Sequence, residues 1–118
     1  MVRGWQTYGR GKQRKRAGQM SKLEEAYAQN PELQKQAGDI LWWAYESWKF
    51  RLADRTWYTP DFMIMWADGT IEAHETKGFM EKAANIKIKV AADLHPIPFI
   101  IIKAIPKKNG GGFSEEAA

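Results

Sequence analysis

Two acidic residues and a lysine in the middle of this chain have the types and the spacing needed for phosphodiester chemistry. Asp61 follows Pro60, and Glu75 is followed by Thr76 and Lys77, with a turn sequence between the two groups. Two carboxylates and one ammonium group are the smallest set that can hold a divalent cation beside a water molecule and a phosphodiester. The sequence therefore predicts metal-dependent cleavage of nucleic acid.

The elements that must position these residues are two strands joined by a loop at residues 67–69. A two-residue turn would put Asp61 and Glu75 on opposite faces of the sheet, where they could not share a cation. A three-residue loop with Gly69 in the left-handed conformation puts Asp61 opposite Glu75, with their Cβ atoms about 5 Å apart. Lys77 then projects from the same face. We expect the three-residue loop, although a bulge just before Asp61 would rescue the other register.

The first half of the chain predicts helices followed by strands. Ser21 and Glu24 have capping-box spacing, so the first helix should begin at Ser21. Pro31 should interrupt it and start a second helix that Gly38 ends. Aromatic and branched residues predict strands at 40–45 and 47–52, then a turn at 53–56 and a strand at 57–59. With the strands on either side of residues 67–69, these should form a β-meander.

The second half predicts a helical crossover. The helix after Gly78 should bury the apolar residues that recur at helical spacing, which are Phe79, Ala83, Ile86, Val90 and Leu94. The apolar segment 97–105 is typical of a parallel strand buried on both faces and reached by a right-handed crossover. The expected fold class is therefore α/β, with a mixed β-sheet flanked by helices, an N-terminal helix, a β-meander and a βαβ crossover.

Composition limits the protein to one domain without disulfides. The chain has 118 residues, no cysteine and two histidines, which excludes a thiolate metal site and a second catalytic domain. Its longest apolar run, 97–102, is far shorter than the roughly 20 residues that span a bilayer, and no signal peptide is evident. We expect a soluble intracellular protein that does not act at a membrane.

The charge is concentrated at the N-terminus. Residues 1–22 carry seven of the 18 basic residues and no acid, which leaves eleven basic against fourteen acidic residues elsewhere. We predict a basic flexible arm at 1–19, a nuclease-like domain at 20–106 and a flexible C-terminal tail at 107–118, with Phe113 packed back. A solubilising tail is the alternative for the arm. The arm residues expected to bind nucleic acid are Arg10, Lys12, Arg14, Lys15 and Arg16.

Four segments together resemble the PD-(D/E)XK nuclease superfamily over roughly residues 20–105. They are the helix with Glu24, the sequence Tyr58-Thr59-Pro60-Asp61-Phe62, the sequence His74-Glu75-Thr76-Lys77-Gly78, and the helix containing Lys87-Ile88-Lys89-Val90. The match is closest to small phage and prophage proteins related to archaeal-type Holliday junction resolvases and to the VRR-NUC nucleases. Thr76 departs from the aliphatic residue usual at its position.

The resemblance implies a restriction-endonuclease-like core and a Mg²⁺- or Mn²⁺-dependent endodeoxyribonuclease. Asp61, Glu75 and the carbonyl of Thr76 would bind the metal, and Lys77 would orient or deprotonate the attacking water. The expected substrate is DNA, branched (such as a Holliday junction) or double-stranded. The expected assembly is a homodimer in the cytoplasm of a bacterial host, encoded by a phage or prophage. The alternatives are a non-catalytic nucleic-acid-binding protein with a nuclease-like fold and a basic structural protein.

Several residues keep two interpretations. Glu24 is either only the capping residue or also a catalytic glutamate at the metal site, with Glu25 as the less favoured substitute. His74 should pack beside Phe62 on the face opposite Glu75 rather than bind metal. Lys87 is a candidate phosphate contact. Five of the six tryptophans lie from Trp42 to Trp66 and should be core or a dimer face, or one of them should stack on an unpaired base.

Overall fold

The computed structural model describes residues 18–81 and 85–118. In chain order its helices and strands are α1 (Lys22–Gln36), β1 (Ile40–Tyr45), β2 (Phe50–Ala53), β3 (Thr56–Tyr58), β4 (Phe62–Trp66), β5 (Ile71–Lys77), α2 (Ile86–Leu94), β6 (Phe99–Ala104), a short 3-10 helix (Lys107–Asn109) and β7 (Phe113–Ala117). The residues of the expected basic arm, Arg10, Lys12, Arg14, Lys15 and Arg16, lie outside the described residues.

Helix α1 begins where the sequence predicts and runs further. The Ser21 hydroxyl accepts a hydrogen bond from the Glu24 N–H at 3.2 Å, and Glu24 Oε1 accepts one from the Ser21 N–H at 2.8 Å. The predicted break at Pro31 is wrong, because one helix continues through this residue to Gln36. Pro31 is buried, and burial of its ring offsets the single backbone hydrogen bond that proline cannot donate.

The main sheet has five strands in the order β1-β4-β5-β6-β7. The pairs β1–β4, β4–β5 and β6–β7 are antiparallel, whereas β5 and β6 are parallel. Helix α2 lies in the chain between the two parallel strands, so the predicted helical crossover is confirmed. The mixed sheet and the two helices also confirm the α/β class, while the restriction-endonuclease-like core stays a prediction.

The β4–β5 hairpin has the three-residue loop on which the predicted metal site depends. The Trp66 N–H donates to the Thr70 carbonyl at 2.9 Å, and Gly69 takes a φ of +90°. Glycine is favoured there because a Cβ is disfavoured at positive φ. The ladder keeps this register along both strands, and one further step puts Asp61 opposite Glu75. The predicted register is therefore confirmed.

Strands β2 and β3 do not belong to the main sheet. They form a separate two-stranded antiparallel sheet, with Arg55 at a φ of +59° in its turn. The prediction of one continuous meander is therefore wrong, because β1 pairs directly with β4 and the β2–β3 hairpin is inserted between them. The predicted strand at 47–52 is shorter and later, at Phe50–Ala53. The inner face of the β2–β3 hairpin packs on the main sheet, with the centres of the Phe50 and Phe99 rings 5.1 Å apart.

Helix α2 buries a different face from the predicted one. It begins at Ile86 after Asn85, whose Oδ1 accepts the Lys87 N–H at 2.9 Å, and it buries Ile88 and Ala91. The residues predicted to face the core are instead exposed where they are described: Phe79, Ile86, Val90 and Leu94. Phe79 also precedes the helix, and Ala83 lies outside the described residues. The late N-cap explains the error, since it sets which residues of the helix meet the sheet.

The segment 107–118, expected to be a flexible tail, is structured. It contains the short 3-10 helix and strand β7, which pairs with β6 over residues Phe113 to Ala117. The Phe113 ring lies 5.3 Å from the Tyr27 ring of α1. The expected packing of Phe113 against the domain is therefore confirmed, and a strand rather than a tail holds it there.

The two helices cover opposite faces of the main sheet. On one face Tyr27 of α1 packs with Phe62 and Ile64. On the other face Ile88 of α2 packs with Met63 and with the inner side of the β2–β3 hairpin. Within residues 18–81 and 85–118, neither helix has the length and apolar character needed to cross a membrane.

Candidate metal site at one end of the sheet

Acidic residues from three neighbouring strands meet at one end of the main sheet. Strands β1 and β5 end here, and β4 begins here. The Glu46 N–H, just after β1, donates to the Asp61 carbonyl at 2.9 Å. Asp61 in turn lies opposite Glu75 in the register of the β4–β5 hairpin. The order of strands therefore places Glu46, Asp61 and Glu75 in a row.

A cavity of about 540 Å³ opens at this end of the sheet. Its lining includes four carboxylate side chains, those of Glu24, Asp61, Glu75 and Glu81. Both helices begin at this cavity, because Ser21 at the start of α1 and Asn85 at the start of α2 also line it. A helix N-terminus carries a partial positive charge, which offsets part of the repulsion among the carboxylates.

Asp61 is held by hydrogen bonds that fix its orientation. Its Oδ2 accepts one bond from the Thr76 N–H and another from the Thr76 hydroxyl, both at 2.9 Å. Burial raises the pKa of Asp61 from 3.8 to about 7; the Thr76 bonds oppose this rise, and the charges of Glu24 and Glu75 add to it. Asp61 is therefore a carboxylate whose ionised form a bound cation would stabilise.

Glu24 caps helix α1 and also reaches the acidic cavity, so its position is compatible with both interpretations that the sequence left open. It is buried, it completes the capping box of α1, and it lines the cavity. Besides the Ser21 N–H, its Oε1 accepts a hydrogen bond from the Tyr45 hydroxyl at 2.8 Å. Glu25, the substitute considered from the sequence, is exposed. The capping geometry thus holds the Glu24 carboxylate at the cavity.

Glu46 is a member of the cluster that the sequence analysis missed. One carboxylate oxygen each from Glu24, Glu46 and Asp61 lie within 4.8 Å of one another. Glu46 has a φ of +48°, a conformation that residues other than glycine seldom adopt. Its place beside Asp61 depends on β1 pairing with β4, whereas the predicted meander paired β1 with the next strand.

Glu75 is held from two sides. The Tyr58 hydroxyl donates to Glu75 Oε1 at 2.5 Å, and the Asn85 side chain makes a second hydrogen bond with this carboxylate. Burial raises the pKa of Glu75, and these two hydrogen bonds oppose the rise. Burial also raises the pKa of Tyr58, with the Glu75 charge adding to it, so the phenol stays protonated as a donor. Tyr58 and Asn85 therefore position Glu75.

The two candidate lysines have different surroundings. Lys77 is buried, with 8% of its surface exposed, and it is not among the residues that line the cavity. Strand alternation still starts its side chain on the face of Glu75. Lys87 does line the cavity, and its Nζ donates to the Trp57 carbonyl at 3.0 Å. The structure thus brings Asp61, Glu75 and Lys87 together and leaves Lys77 outside their cavity.

His74 lies on the face opposite Glu75, as predicted. It pairs with Phe62 across the hairpin and is 2% exposed. Its Nδ1 shares a hydrogen bond with the Tyr27 hydroxyl at 2.7 Å, and its Nε2 lies 2.8 Å from Glu72 Oε1. Both ring nitrogens are thus occupied by structural partners, and the prediction of a packed histidine is confirmed.

The oxygen donors fit a hard divalent cation. Mg²⁺ and Ca²⁺ bind carboxylate oxygens at roughly 2.0–2.6 Å, so two ligands of one ion lie at most about 5 Å apart. The Glu24, Glu46 and Asp61 oxygens meet this limit, since they all lie within 4.8 Å of one another. The predicted set was Asp61, Glu75 and the Thr76 carbonyl. That set stays a prediction; among the acidic side chains, the structure groups Asp61 with Glu24 and Glu46, and Glu75 lies near enough to influence the pKa of Asp61.

Comparison of the chain with protein-family models, with curated proteins and with solved structures found no match.

Proposed function

We propose that this protein is a metal-dependent endonuclease of the PD-(D/E)XK type that hydrolyses DNA phosphodiester bonds. The observation that carries the proposal is the convergence of Glu24, Asp61 and Glu75 on one cavity, where the N-termini of both helices also lie. An all-oxygen donor set of this kind suits Mg²⁺ or Mn²⁺. A restriction-endonuclease-like core is part of the same proposal.

Each residue then has a defined task. Glu24 and Asp61 would hold the cation, and Glu46 or Glu75 would complete its ligands. When bound, the cation would supply a water of lowered pKa and positive charge opposite the phosphate. The Thr76 bonds keep Asp61 Oδ2 in place, and the Tyr58 bond keeps Glu75 in place. Both therefore limit the reorganisation needed during reaction.

A lysine must also contact the phosphate or the water. Lys87 is the lysine in the cavity lining, and its ammonium could exchange the Trp57 carbonyl for a phosphate oxygen. Lys77, which the superfamily pattern favours for orienting or deprotonating water, would have to turn toward the cavity first. Comparing the two lysines therefore tests which of them acts.

The second candidate function is nucleic-acid binding without cleavage. The observation that favours it is the burial of Lys77 outside the cavity lining, because a nuclease of this superfamily needs that lysine beside the metal. Both functions predict binding that weakens as salt rises, so salt dependence does not separate them.

Cleavage separates them. The protein should be incubated with a four-way DNA junction, a linear duplex and a single strand, each with Mg²⁺, Mn²⁺ or EDTA. We expect strand cleavage with either metal and none with EDTA. Asp61→Asn and Glu75→Gln should each slow cleavage by more than about a hundredfold. Replacing a residue that only hydrogen-bonds to a metal ligand already lowers metal affinity or activity by about 10- to 100-fold.

Matched controls make the result specific. Glu24→Gln should reduce cleavage, whereas Glu25→Gln, one position along the same helix and exposed, should leave it unchanged. Lys77→Met and Lys87→Met tell the two lysines apart. Full activity in Asp61→Asn and Glu75→Gln would reject the site, and binding without cleavage on every substrate would favour the non-catalytic function.

The proposal also includes a preference for branched DNA and a two-fold homodimer that cuts two strands symmetrically. It further includes action in the cytoplasm of a bacterial host and a phage or prophage origin of the protein. Light scattering of the purified protein tests the dimer, and the junction-to-duplex ratio in the cleavage assay tests the preference. Equal rates on all three DNA substrates would remove the branched preference and leave the cleavage proposal intact.

A further inference from the structure

The inserted β2–β3 hairpin has two unlike faces. On its inner face, Phe50 and Tyr58 pair across the strands and pack against the Phe99 ring at 5.1 and 6.4 Å. On its outer face, Arg51 pairs with Trp57, and both are exposed. Side chains directly opposite one another lie on the same face of a sheet. The outer face therefore presents a cation beside a large aromatic ring.

Trp57 connects this outer face to the acidic cavity. It is 43% exposed and it also belongs to the cavity lining. The inner face of the hairpin accounts for the packing of the hairpin on the sheet, so Trp57 is not required for that packing. An indole exposed at the edge of this cavity can contact a ligand that enters it.

Three cationic residues are neighbours of Trp57. The Lys49 ammonium lies 4.7 Å from the centre of the Trp57 ring, within cation–π range. Arg51 is its cross-strand neighbour, and the Lys87 ammonium binds the Trp57 main-chain carbonyl at 3.0 Å. Aromatic side chains flanked by lysine and arginine complement single-stranded nucleic acid, because the ring stacks on a base while the cations contact phosphates.

We propose that Trp57 stacks on an unpaired base next to the phosphate held at the cavity, with Lys49, Arg51 and Lys87 contacting the flanking phosphates. The ligand class is thus a strand with at least one unpaired nucleotide, such as a single strand, a flap or a frayed end. A base inside an intact duplex does not offer its face, since it is stacked on both sides.

This inference rests on the proposed function for the placement of the scissile phosphate, but the stacking contact itself does not require cleavage. Binding is therefore measured in EDTA, and again with Ca²⁺, by fluorescence anisotropy of a labelled single strand and of the matching blunt duplex. Trp57→Ala should weaken single-strand binding by about 5- to 150-fold, the range that corresponds to one stacked base. Duplex binding should change by less than about twofold, because a base inside a duplex does not offer its face to the indole.

Three further variants separate stacking from folding and from charge. Trp57→Phe should keep most of the affinity, and Trp57→Leu, apolar but without a π-face, should lose it. Trp48→Ala should leave binding unchanged, because Trp48 is similarly exposed at 39% but packs on Trp42 and Phe50 instead of lining the cavity. Lys49→Ala should lower affinity for both nucleic acids and flatten the salt dependence.

Equal losses for single strand and duplex in Trp57→Ala, or no loss in either, would overturn the inference, as would equal effects of Trp48→Ala and Trp57→Ala. The Lys87 contact does not confound the result, because its acceptor is the main-chain carbonyl that every Trp57 variant keeps. Selective single-strand binding through Trp57 without cleavage in Mg²⁺ would uphold stacking and reject the nuclease. Cleavage in Mg²⁺ together with unchanged single-strand binding by Trp57→Ala would uphold the nuclease and reject stacking.

Discussion

Replacing Asp61 by asparagine tests whether the negative charge of this buried carboxylate destabilises the folded protein. The substitution keeps the shape of the side chain and leaves an oxygen to accept the two hydrogen bonds from Thr76. It removes only the ionisation. Because burial raises the pKa of Asp61 from 3.8 to about 7, the folded protein favours the neutral acid, and a neutral amide should suit the same place.

The sign and size of the effect follow from linkage between protonation and folding. An acid whose pKa is higher in the folded state stabilises the fold fully below its unfolded pKa, and this contribution is lost as pH rises through the folded pKa. With a rise from 3.8 to about 7, the wild-type protein should lose up to about 4 kcal/mol of unfolding free energy between pH 4 and 7 at the 1.36 kcal/mol that each pKa unit represents. Relaxation around the charge should reduce this to about 1–2 kcal/mol.

Thermal unfolding followed by circular dichroism measures the effect. In EDTA at about pH 8, Asp61→Asn should raise the Tm by roughly 4–8 °C, given about 4 °C per kcal/mol for a chain of this size. Saturating Mn²⁺ or Mg²⁺ should stabilise the wild type by about 2.7 kcal/mol at a hundredfold excess over Kd, and should stabilise Asp61→Asn far less. The exposed Asp93→Asn should behave like the wild type in both buffers.

The reasoning would be refuted if Asp61→Asn melted below the wild type in EDTA at alkaline pH, or if the two proteins showed the same dependence of Tm on pH. The first result would mean that the surroundings of Asp61 stabilise its carboxylate, and the second would mean that folding leaves its pKa unshifted.

Three other substitutions test the supports of the site and of the fold. Tyr58→Phe removes the donor to Glu75 and should weaken Mn²⁺ binding, measured by calorimetry, by about tenfold; unchanged affinity would deny Tyr58 a positioning role. Asn85→Ala should lower the free energy of unfolding in urea by about 1 kcal/mol more than Asn85→Ser, which keeps a capping oxygen; equal urea midpoints would contradict the cap. Ile88→Ala should cost about 2–5 kcal/mol, whereas Ile86→Ala, 73% exposed, should cost less than about 0.5 kcal/mol; the reverse order would mean that α2 packs through its other face.

What the sequence predicted well was set by local chemistry. Gly69 specifies a three-residue loop because it must take a positive φ, and that loop alone determines that Asp61 and Glu75 face each other. The capping box at Ser21 likewise depends on residues three apart. The apolar segment before Ala104 forms the parallel strand β6 because only a strand covered on both faces tolerates such a composition.

What the sequence could not predict depends on contacts between distant segments. Nothing local distinguishes β1 pairing with the next strand from β1 pairing with β4, so the place of Glu46 beside Asp61 could not be found. The face of α2 depends on where its N-cap falls, and Asn85 fixes that position through the hydrogen bond that its Oδ1 accepts from the Lys87 N–H. Pro31 continues a helix because its ring is buried, and burial is a property of the folded protein.

Strand β7 has a consequence for how copies of this protein can meet. It is an outermost strand of the main sheet, and Glu115 and Glu116 lie opposite Ile102 and Ile101 of β6. If two molecules aligned their β7 strands, carboxylates from both chains would be brought together, which disfavours that pairing. These glutamates would therefore oppose edge-to-edge pairing of β7 between two copies of the protein.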